Sequence, residues 1–298
     1  MELESLYRDY RKPLFAVAYR MLGSASDAED IVQDVFAGLP AKPDSQAVES
    51  WRAYLMKAVT NRCINVLHSS AKKRTEYIGP WLPEPLYDGA DADPANSAIR
   101  HESVSYAFLV MLEKLTPPER AVFVLREALS YEYADIADIL DKTETSCRQL
   151  FSRAKRKLPM GESDTLPEST VSSQLADTFM SAVKTGRFDA FVKLLAEDAT
   201  LVSDGGGKVR AAFRPILGSE RIAAFFQGIE GKGALQGTLH KLVVNGQMGL
   251  LLLRDGEPVK LMLFAFNSEH HISDVYIILN PEKLIKFTSQ IGALDCLD

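Results

Sequence analysis

LEKLTPPERAVFVLREALSYEYADIADILDKTETSCRQLFSRAKRKL, residues 112–158, spells a helix, a second short helix, a tight connection and a basic third helix. Thr116 stands as an N-cap, with Pro117 and Pro118 in the first turn, where a missing N–H costs nothing. Glu119 lies three residues on, at capping-box distance. Ala121, Val122, Leu125 and Leu129 then recur at helical spacing. Residues 130–140 predict a short helix with Tyr133, Ile136, Ala137 and Leu140 inward. The connection Asp141-Lys142-Thr143-Glu144 has the length a helix-turn-helix needs. Thr143 caps the third helix, whose apolar stripe is Cys147, Leu150, Phe151, Ala154 and Leu158. Its other face presents Thr145, Ser146, Arg148, Gln149, Ser152, Arg153 and Arg156. Arginine forks onto guanine, glutamine onto adenine and hydroxyls onto base edges or phosphates, so this face suits a DNA major groove. The same Lys155-Arg156-Lys157 ending also suits a solvated helix C-terminus matching its dipole.

A second basic segment lies upstream. Residues 1–74 read as an all-helical unit, opening with the stripe Leu6, Tyr10, Leu14, Val17 and Met21 up to Gly23. Ser26 and Glu29 predict a capping box for a second helix that buries Ile31, Val32, Val35 and Phe36 and exposes Asp30, Gln33 and Asp34. The helix dipole accounts for acids in a first turn, but Asp34 sits too deep for it. A third helix over about residues 50–70 carries Asn61, Arg62 and Asn65 on a polar side, followed by Lys72, Lys73 and Arg74. Two asparagines inside a helix oppose its propensity. They serve either hydrogen bonds to bases or a helix–helix contact.

The whole chain has 298 residues, enough for two or three domains, and 46% hydrophobic content, enough for real cores. Its net charge of −6, with 34 basic against 40 acidic residues, argues against a generic nucleic-acid coat; the local patches set the electrostatic footprint. Cys63, Cys147 and Cys296 are far apart and form no CxxC, which points to reduced thiols rather than disulfides or a metal site. The acidic N-terminus lacks a secretory pattern and no apolar run approaches membrane-spanning length, so the expectation is a cytoplasmic protein with no membrane attachment, cofactor or metal.

Residues 75–98 form a Pro-, Gly- and Asp-rich linker, interrupted by Trp81-Leu82-Pro83-Glu84-Pro85, a stiff apolar element that wants a groove. Residues 99–160 hold the helix-turn-helix, and 161–170 are a second polar linker. From 171 to 298 the periodicity changes. Helices are expected over residues 173–185, 189–195 and 219–229, the last capped by Ser219. Strands are expected over 199–203, 209–216, 235–244, 247–254, 259–266 and 272–279. Asn245-Gly246 and Asp255-Gly256 are hairpin turns. Helices followed by an antiparallel meander describe an α+β cone, a fold that often encloses an apolar cavity. Asp204, His240, His270 and His271 are its acid–base candidates, but no pair stands at readable spacing and no catalytic residue is assigned. The Gly-rich loop at Asp204 lacks the ending and the context of a phosphate cradle.

Taken in order, AEDIVQDVFAGL, SWRAYLMKAVTNRCINVL with KKR after it, and LTPPERAVFVLREALSYEYADIADIL resemble regions 2 and 4 of an extracytoplasmic-function (ECF) sigma factor. The C-terminal half resembles a SnoaL-like, NTF2-type domain. Trp81 to Pro85, the loop Asp204-Gly205-Gly206-Gly207-Lys208 and Asn280-Pro281-Glu282-Lys283-Leu284 resemble three signature motifs of the sigma factors that carry this extension. The resemblance implies two all-α modules plus an α+β cone. It implies that Asp30, Gln33 and Asp34 dock on the β′ clamp helices of core RNA polymerase, with a further contact to the β flap. It also implies that Asn61, Arg62 and Asn65 read the −10 element with Lys72 to Arg74 near phosphates. On the same basis, the exposed face of the helix after Thr143 reads the −35 element of promoter DNA. His68, Ser69 and Ser70 stand where many relatives are basic. The three motifs imply regulation in cis, with no separate anti-sigma factor. Two other functions fit the residues: a helix-turn-helix regulator with a ligand-binding domain, and a cone-fold enzyme with a DNA-binding arm.

Overall fold

A computed structural model describes residues 3–40, 48, 50–75, 77–87, 105–158 and 169–288, with side chains in 70–75 and 169–171 excepted. Cys296 and the greater part of both linkers, 88–98 and 161–168, lie outside the described residues. The chain divides into two compact units. One comprises residues 1–75 and 109–160, the other 76–108 and 161–298.

The first unit is all-helical. α1 (Leu3–Leu22) ends where Gly23, at φ 66°, turns the chain and donates to the Tyr19 carbonyl. α2 (Ala25–Ala37) is capped by Ser24, which accepts from the Asp27 N–H at 3.2 Å. The expected Ser26–Glu29 box is therefore displaced by two residues: the turn at Gly23 starts the helix earlier and leaves Ser26 inside its first turn. α3 (Trp51–Thr75) extends five residues beyond expectation. In the helix-turn-helix region, α4 (Tyr106–Leu112) is followed by α5 (Pro117–Phe123), opened by the Thr116–Glu119 box, with Thr116 N–H and Oγ1 both donating to Glu119 Oε2 at 3.0 and 2.8 Å. A π-helix, Val124–Ala128, then breaks the α register. α6 (Tyr133–Leu140) and α7 (Glu144–Lys157) complete the motif, and the Thr143 hydroxyl accepts from Ser146 N–H as expected.

A single stripe was expected on α1, yet every residue from Leu14 to Leu22 is buried. The second half of this helix is covered on several sides, by α2 and α3 and by α5 and the π-helix. A one-face pattern cannot report such burial, because Ala16, Ala18 and Tyr19 look like an ordinary helix flank in sequence.

The second unit is an α+β cone: a six-stranded sheet in the order β2-β1-β6-β5-β4-β3, with β1 parallel to β6 and the other pairs antiparallel. Its strands are β1 (Leu195–Asp204), β2 (Ile216–Leu217), β3 (Thr238–Val244), β4 (Gln247–Arg254), β5 (Glu257–Phe266) and β6 (Ile272–Ile278), with helices α8 (Ser169–Thr185), α9 (Asp189–Val192), α10 (Ser219–Glu230) and α11 (Pro281–Thr288). Residues 209–215 are not the expected strand. Gly205 to Lys208 spend the turn closing a loop, and pairing resumes only at Ile216–Leu217. The N-cap of α10 is Gly218, not Ser219. Both hairpin turns are as read, with Asn245 and Gly246 at φ 49° and 71° and Asp255 and Gly256 at 54° and 79°.

Phe179, Phe188, Phe191, Phe226 and Phe264 pack edge-on and stacked, with centroids 5.0 to 6.2 Å apart, in the middle of the cone. The depression lined by Leu175, Met248, Phe264 and Phe266 holds about 10 Å³, room for about one water. A ligand site needs several hundred.

Lys260, on β5, is 5% exposed, and its Nζ donates to the Ala234 carbonyl at 3.1 Å. Burial, with help from Arg254, lowers its pKa to about 8. Its protonation in the folded state is therefore opposed, so wild-type stability rises with pH between about 8 and 10.5. Lys260→Met is expected to raise stability at pH 7 by up to about 3 kcal/mol, with the gain fading above pH 10, as urea titrations at the two pH values would read.

Candidate functional site

The exposed faces of the helical unit carry the residues singled out from sequence. Asp30, Gln33 and Asp34 are all solvent-exposed on α2 while Ile31, Val32, Val35 and Phe36 hold its other face in the core. On α3, Arg62 and Asn65 are exposed and Asn61 is half-buried. Arg62 Nη1 lies 3.3 Å from Asp34 Oδ2, which brings together two candidates assigned to different tasks. The Asn61 amide donates to the Ile139 carbonyl at 3.4 Å, so in this structure it makes the helix–helix contact left open as one of its two uses. The side chains of Lys72, Lys73 and Arg74 lie outside the described residues, although α3 runs through them.

On α7, Thr145, Arg148, Gln149, Ser152, Arg153 and Arg156 are exposed and Ser146 is half-buried, with Cys147 and Ala154 against the core. Arg148 is braced: its guanidinium stacks 4.3 Å over the Tyr133 ring and lies 3.2 Å from Glu144. The basic C-terminus of α7 serves two purposes. Lys155 pairs with Glu127 at 3.5 Å and Lys157 with Glu119 at 2.6 Å, so these two fasten α7 to its own module. Burial alone would raise the Glu119 carboxyl, but Lys157 and the Thr116 donors outweigh it and hold the pKa below the usual value. Burial raises the thiols of Cys63 and Cys147, which suits inert core residues, and among the described residues no cluster could hold a metal ion.

The second unit contains a buried polar centre that joins all three signature segments. Asp204 is fully buried at the end of β1. Its Oδ1 accepts from Tyr77 Oη at 2.6 Å and from Gly206 N–H at 2.9 Å; its Oδ2 accepts from Leu82 N–H at 2.9 Å and from Lys283 Nζ at 2.7 Å. The Lys283 ammonium also donates to the Leu82 carbonyl and sits 4.2 Å over the Trp81 ring. Asn280 donates to Tyr77 Oη at 3.1 Å, and its backbone N–H donates to the Asp204 carbonyl at 3.0 Å.

The glycines beside Asp204 are demanded by this closeness. A Cβ on Gly205 would lie 2.1 Å from the Val209 carbonyl oxygen, and one on Gly206 would lie 2.5 Å from the Asn280 amide. Gly207, at φ 71°, closes the turn, and Lys208 reaches Glu282 at 2.5 Å. Leu284 is buried one turn on, and Pro281 opens α11.

Further contacts lay the linker along the cone. Buried Glu84 pairs with Lys286 at 2.8 Å, Pro83 accepts from Tyr106 Oη at 2.7 Å, and Tyr87 bridges Val244 beside a reciprocal pair between Leu86 and Asn245. The groove that the stiff Trp-Leu-Pro segment requires is thus the cone's own surface. Tyr77, Tyr106, Asn245 and Lys286 were missed in sequence, since each is a lone polar residue whose partner stands far along the chain. Burial, hydrogen bonding to Asp204 and its charge raise the Tyr77 hydroxyl well above its ordinary range, keeping it a donor. Asp204 has all its acceptor positions taken up, and His240, His270 and His271 make no hydrogen bond to it.

Comparison with known proteins agrees with both halves of the geometry. Residues 6–73 match sigma-70 region 2 and residues 105–158 match sigma-70 region 4. The ECF RNA polymerase sigma factor SigJ of Mycobacterium tuberculosis is 34% identical over 255 residues, 82% of this chain and 79% of its own length. The probable ECF RNA polymerase sigma factor SigI of the same organism is 30% identical over 199 residues, 65% of this chain and 67% of its own. The crystal structure of SigJ superimposes with a TM-score of 0.74 at 29% identity, covering 94% of this chain and 98% of that one, the α+β cone included. This chain belongs to the ECF RNA polymerase sigma factors, which direct transcription initiation, and carries a C-terminal α+β domain.

Proposed function

We propose that this sigma factor is regulated in cis by its own C-terminal domain, which fixes the linker between regions 2 and 4 and so restricts the offset of the two promoter readers. The Asp204–Lys283 centre carries this reading: one buried ion pair simultaneously holds the linker backbone at Leu82 and the linker side chains Tyr77 and Trp81. Residues 1–74 act as region 2, 99–160 as region 4 and 171–298 as the regulatory cone. Asp30, Gln33 and Asp34 meet the β′ clamp helices. Asn61, Arg62, Asn65 and the Lys72–Arg74 run meet the −10 element, the exposed face of α7 meets the −35 element, and region 4 also meets the β flap. No separate anti-sigma factor is needed in this scheme. Catalysis has no role in this scheme, in which Asp204 is consumed in structure, and the site of action is the cytoplasm, where polymerase and DNA are.

Run-off transcription with core polymerase, comparing the full chain with graded C-terminal truncations, tests the proposal. Removing α11, which carries Lys283, is expected to change activity from that of the full chain; identical activity for every truncation would defeat it. A helix-turn-helix regulator would instead bind an operator tightly without polymerase, so a gel shift with and without core enzyme separates the two.

On α7, Arg148→Ala and Arg153→Ala are each expected to cost about 1–3 kcal/mol of discrimination at one −35 position, read by competition against point-substituted sites. Tyr133→Ala, which removes the ring under Arg148, should reduce discrimination at the Arg148 position only. Equal losses on all sequences would recast these residues as phosphate contacts.

A further inference from the structure

Tyr133, the first residue of α6, carries two guanidiniums. Arg148 of α7 lies 4.3 Å from the ring centroid, and Arg126 of the π-helix lies 5.0 Å from it. Each cation has its own carboxylate, Glu144 at 3.2 Å for Arg148 and Glu132 at 3.1 Å for Arg126, so neither brings an unanswered charge to the ring. Their surroundings differ. The Arg148 side chain is 60% exposed, whereas that of Arg126 is 30% exposed and its Nη1 also donates to the Tyr131 carbonyl at 2.7 Å. Aromatic packing holds the ring as well: Phe151 meets it edge-on at 6.0 Å and stacks in turn on buried Phe123 at 5.9 Å. The next residue of the π-helix, Glu127, pairs with Lys155, whose ammonium lies 4.9 Å over Phe151. The π-helix thus grips α7 twice, through Arg126 and the Tyr133 ring and through Glu127 and Lys155.

An exposed arginine on a helix samples many rotamers, and its surface pair with Glu144 is too weak to fix where the fork points. A guanidinium resting on an aromatic face keeps its in-plane N–H donors free for the bidentate edge of a guanine. The ring therefore bounds where the fork can lie, and whatever fixes the ring fixes the reader. We propose that Arg126 is a positioning residue for −35 recognition. From the π-helix it locks the Tyr133 ring, and through that ring it aims the Arg148 guanidinium at a single base pair. Arg126 acts through the ring and not on the DNA. Single π turns in helices are rare and frequently stand at functional sites. Here the π-helix ties Arg126 to the Tyr131 carbonyl and to Glu132, the two residues that lead into α6. The inference deepens the assignment of Arg148 as a −35 reader and rests on it.

The test uses the full chain bound to core polymerase and a pool of random-sequence duplex DNA. Sequencing the bound fraction gives the base preference at each position of the −35 element, and thermal unfolding accompanies each variant. Arg148→Ala is expected to flatten the preference at one base pair. Arg126→Ala should weaken the preference at that same base pair by about fivefold and leave the other positions unchanged. The double variant should read like Arg148→Ala alone, because Arg126 acts only through Arg148. Tyr133→Phe, which keeps the ring, should behave as wild type, and Tyr133→Leu, which keeps apolar bulk without the ring, should match Arg126→Ala. Arg126→Met, which keeps the aliphatic stem, takes the place of Arg126→Ala should the latter fold poorly. Equal weakening at every position with a lowered melting temperature would make Arg126 a residue that merely holds the fold, and would overturn the positioning role. An unchanged preference in Arg126→Ala or in Tyr133→Leu, while Arg148→Ala flattens its base pair, would overturn it too and leave the reader assignment standing. If Arg148→Ala flattens no position, the reader assignment itself fails and the role of Arg126 falls with it.

Discussion

Replacing Asp204 by alanine is expected to cost the cone and its bound linker about 3–5 kcal/mol, the scale for removing one partner of a buried ion pair. The substitution takes a carboxylate away from an ammonium that is 11% exposed and leaves Tyr77 Oη, Leu82 N–H and Gly206 N–H without this acceptor. Urea unfolding of the full chain would read the loss in the transition of the second unit. Limited proteolysis within residues 77–87 would show whether the linker is released before the sheet melts. Asp204→Leu combined with Lys283→Met removes both charges, and the pair should recover part of the loss, since an ion pair replaced whole by apolar groups is often neutral. If the double variant were as unstable as the sum of the singles, the two residues would not be acting together. Asp204→Asn, which keeps the shape and one acceptor, should fall between wild type and alanine.

How far such a centre can be read from sequence depends on where its partners lie. The helix-turn-helix was legible because its signals are local: a cap at Thr116, a stripe at Cys147 and Ala154, a short connection at Asp141. The same locality made the Asn245-Gly246 and Asp255-Gly256 turns readable. Strand ends moved by one to four residues because pairing, not composition, sets them, and residues 209–215 lost their strand to the geometry that Gly205 and Gly206 impose on the loop. The three motifs could be picked out individually, but their convergence on one carboxylate spans separations of 79 to 127 residues, which no periodicity carries. The π-helix at Val124–Ala128 was invisible for a different reason. Its residues have ordinary helical propensities; it packs against α1 and is followed by the left-handed turn at Ser130. The packing of α6 on α3, where Lys57 pairs with Asp141 at 2.5 Å, left no trace in the pattern either, since the two look like solvated surface residues in isolation.

Asp34→Arg is expected to abolish polymerase-dependent transcription while leaving the helical unit folded. Asp34 is exposed on α2, and its one ion pair in this structure, with Arg62 at 3.3 Å, is half in water and of the kind worth at most about 1 kcal/mol. Reversing its charge therefore changes the melting temperature little. At an interface with a basic partner surface the same reversal is far costlier. Like charges brought into contact cost several kcal/mol, so affinity for core polymerase should fall by about a hundredfold or more. Fluorescence anisotropy with labelled chain and purified core enzyme reads the affinity, circular dichroism reads the fold, and run-off transcription reads the consequence. Arg62→Ala separates the two assignments that meet at this ion pair. It should leave core affinity near wild type and weaken only binding to DNA, because Arg62 enters on the DNA side of the proposal. Unchanged core affinity for Asp34→Arg would move the polymerase-binding surface off α2 altogether. A loss of core affinity in Arg62→Ala equal to that in Asp34→Arg would make the pair, and not the carboxylate alone, the feature that polymerase recognises.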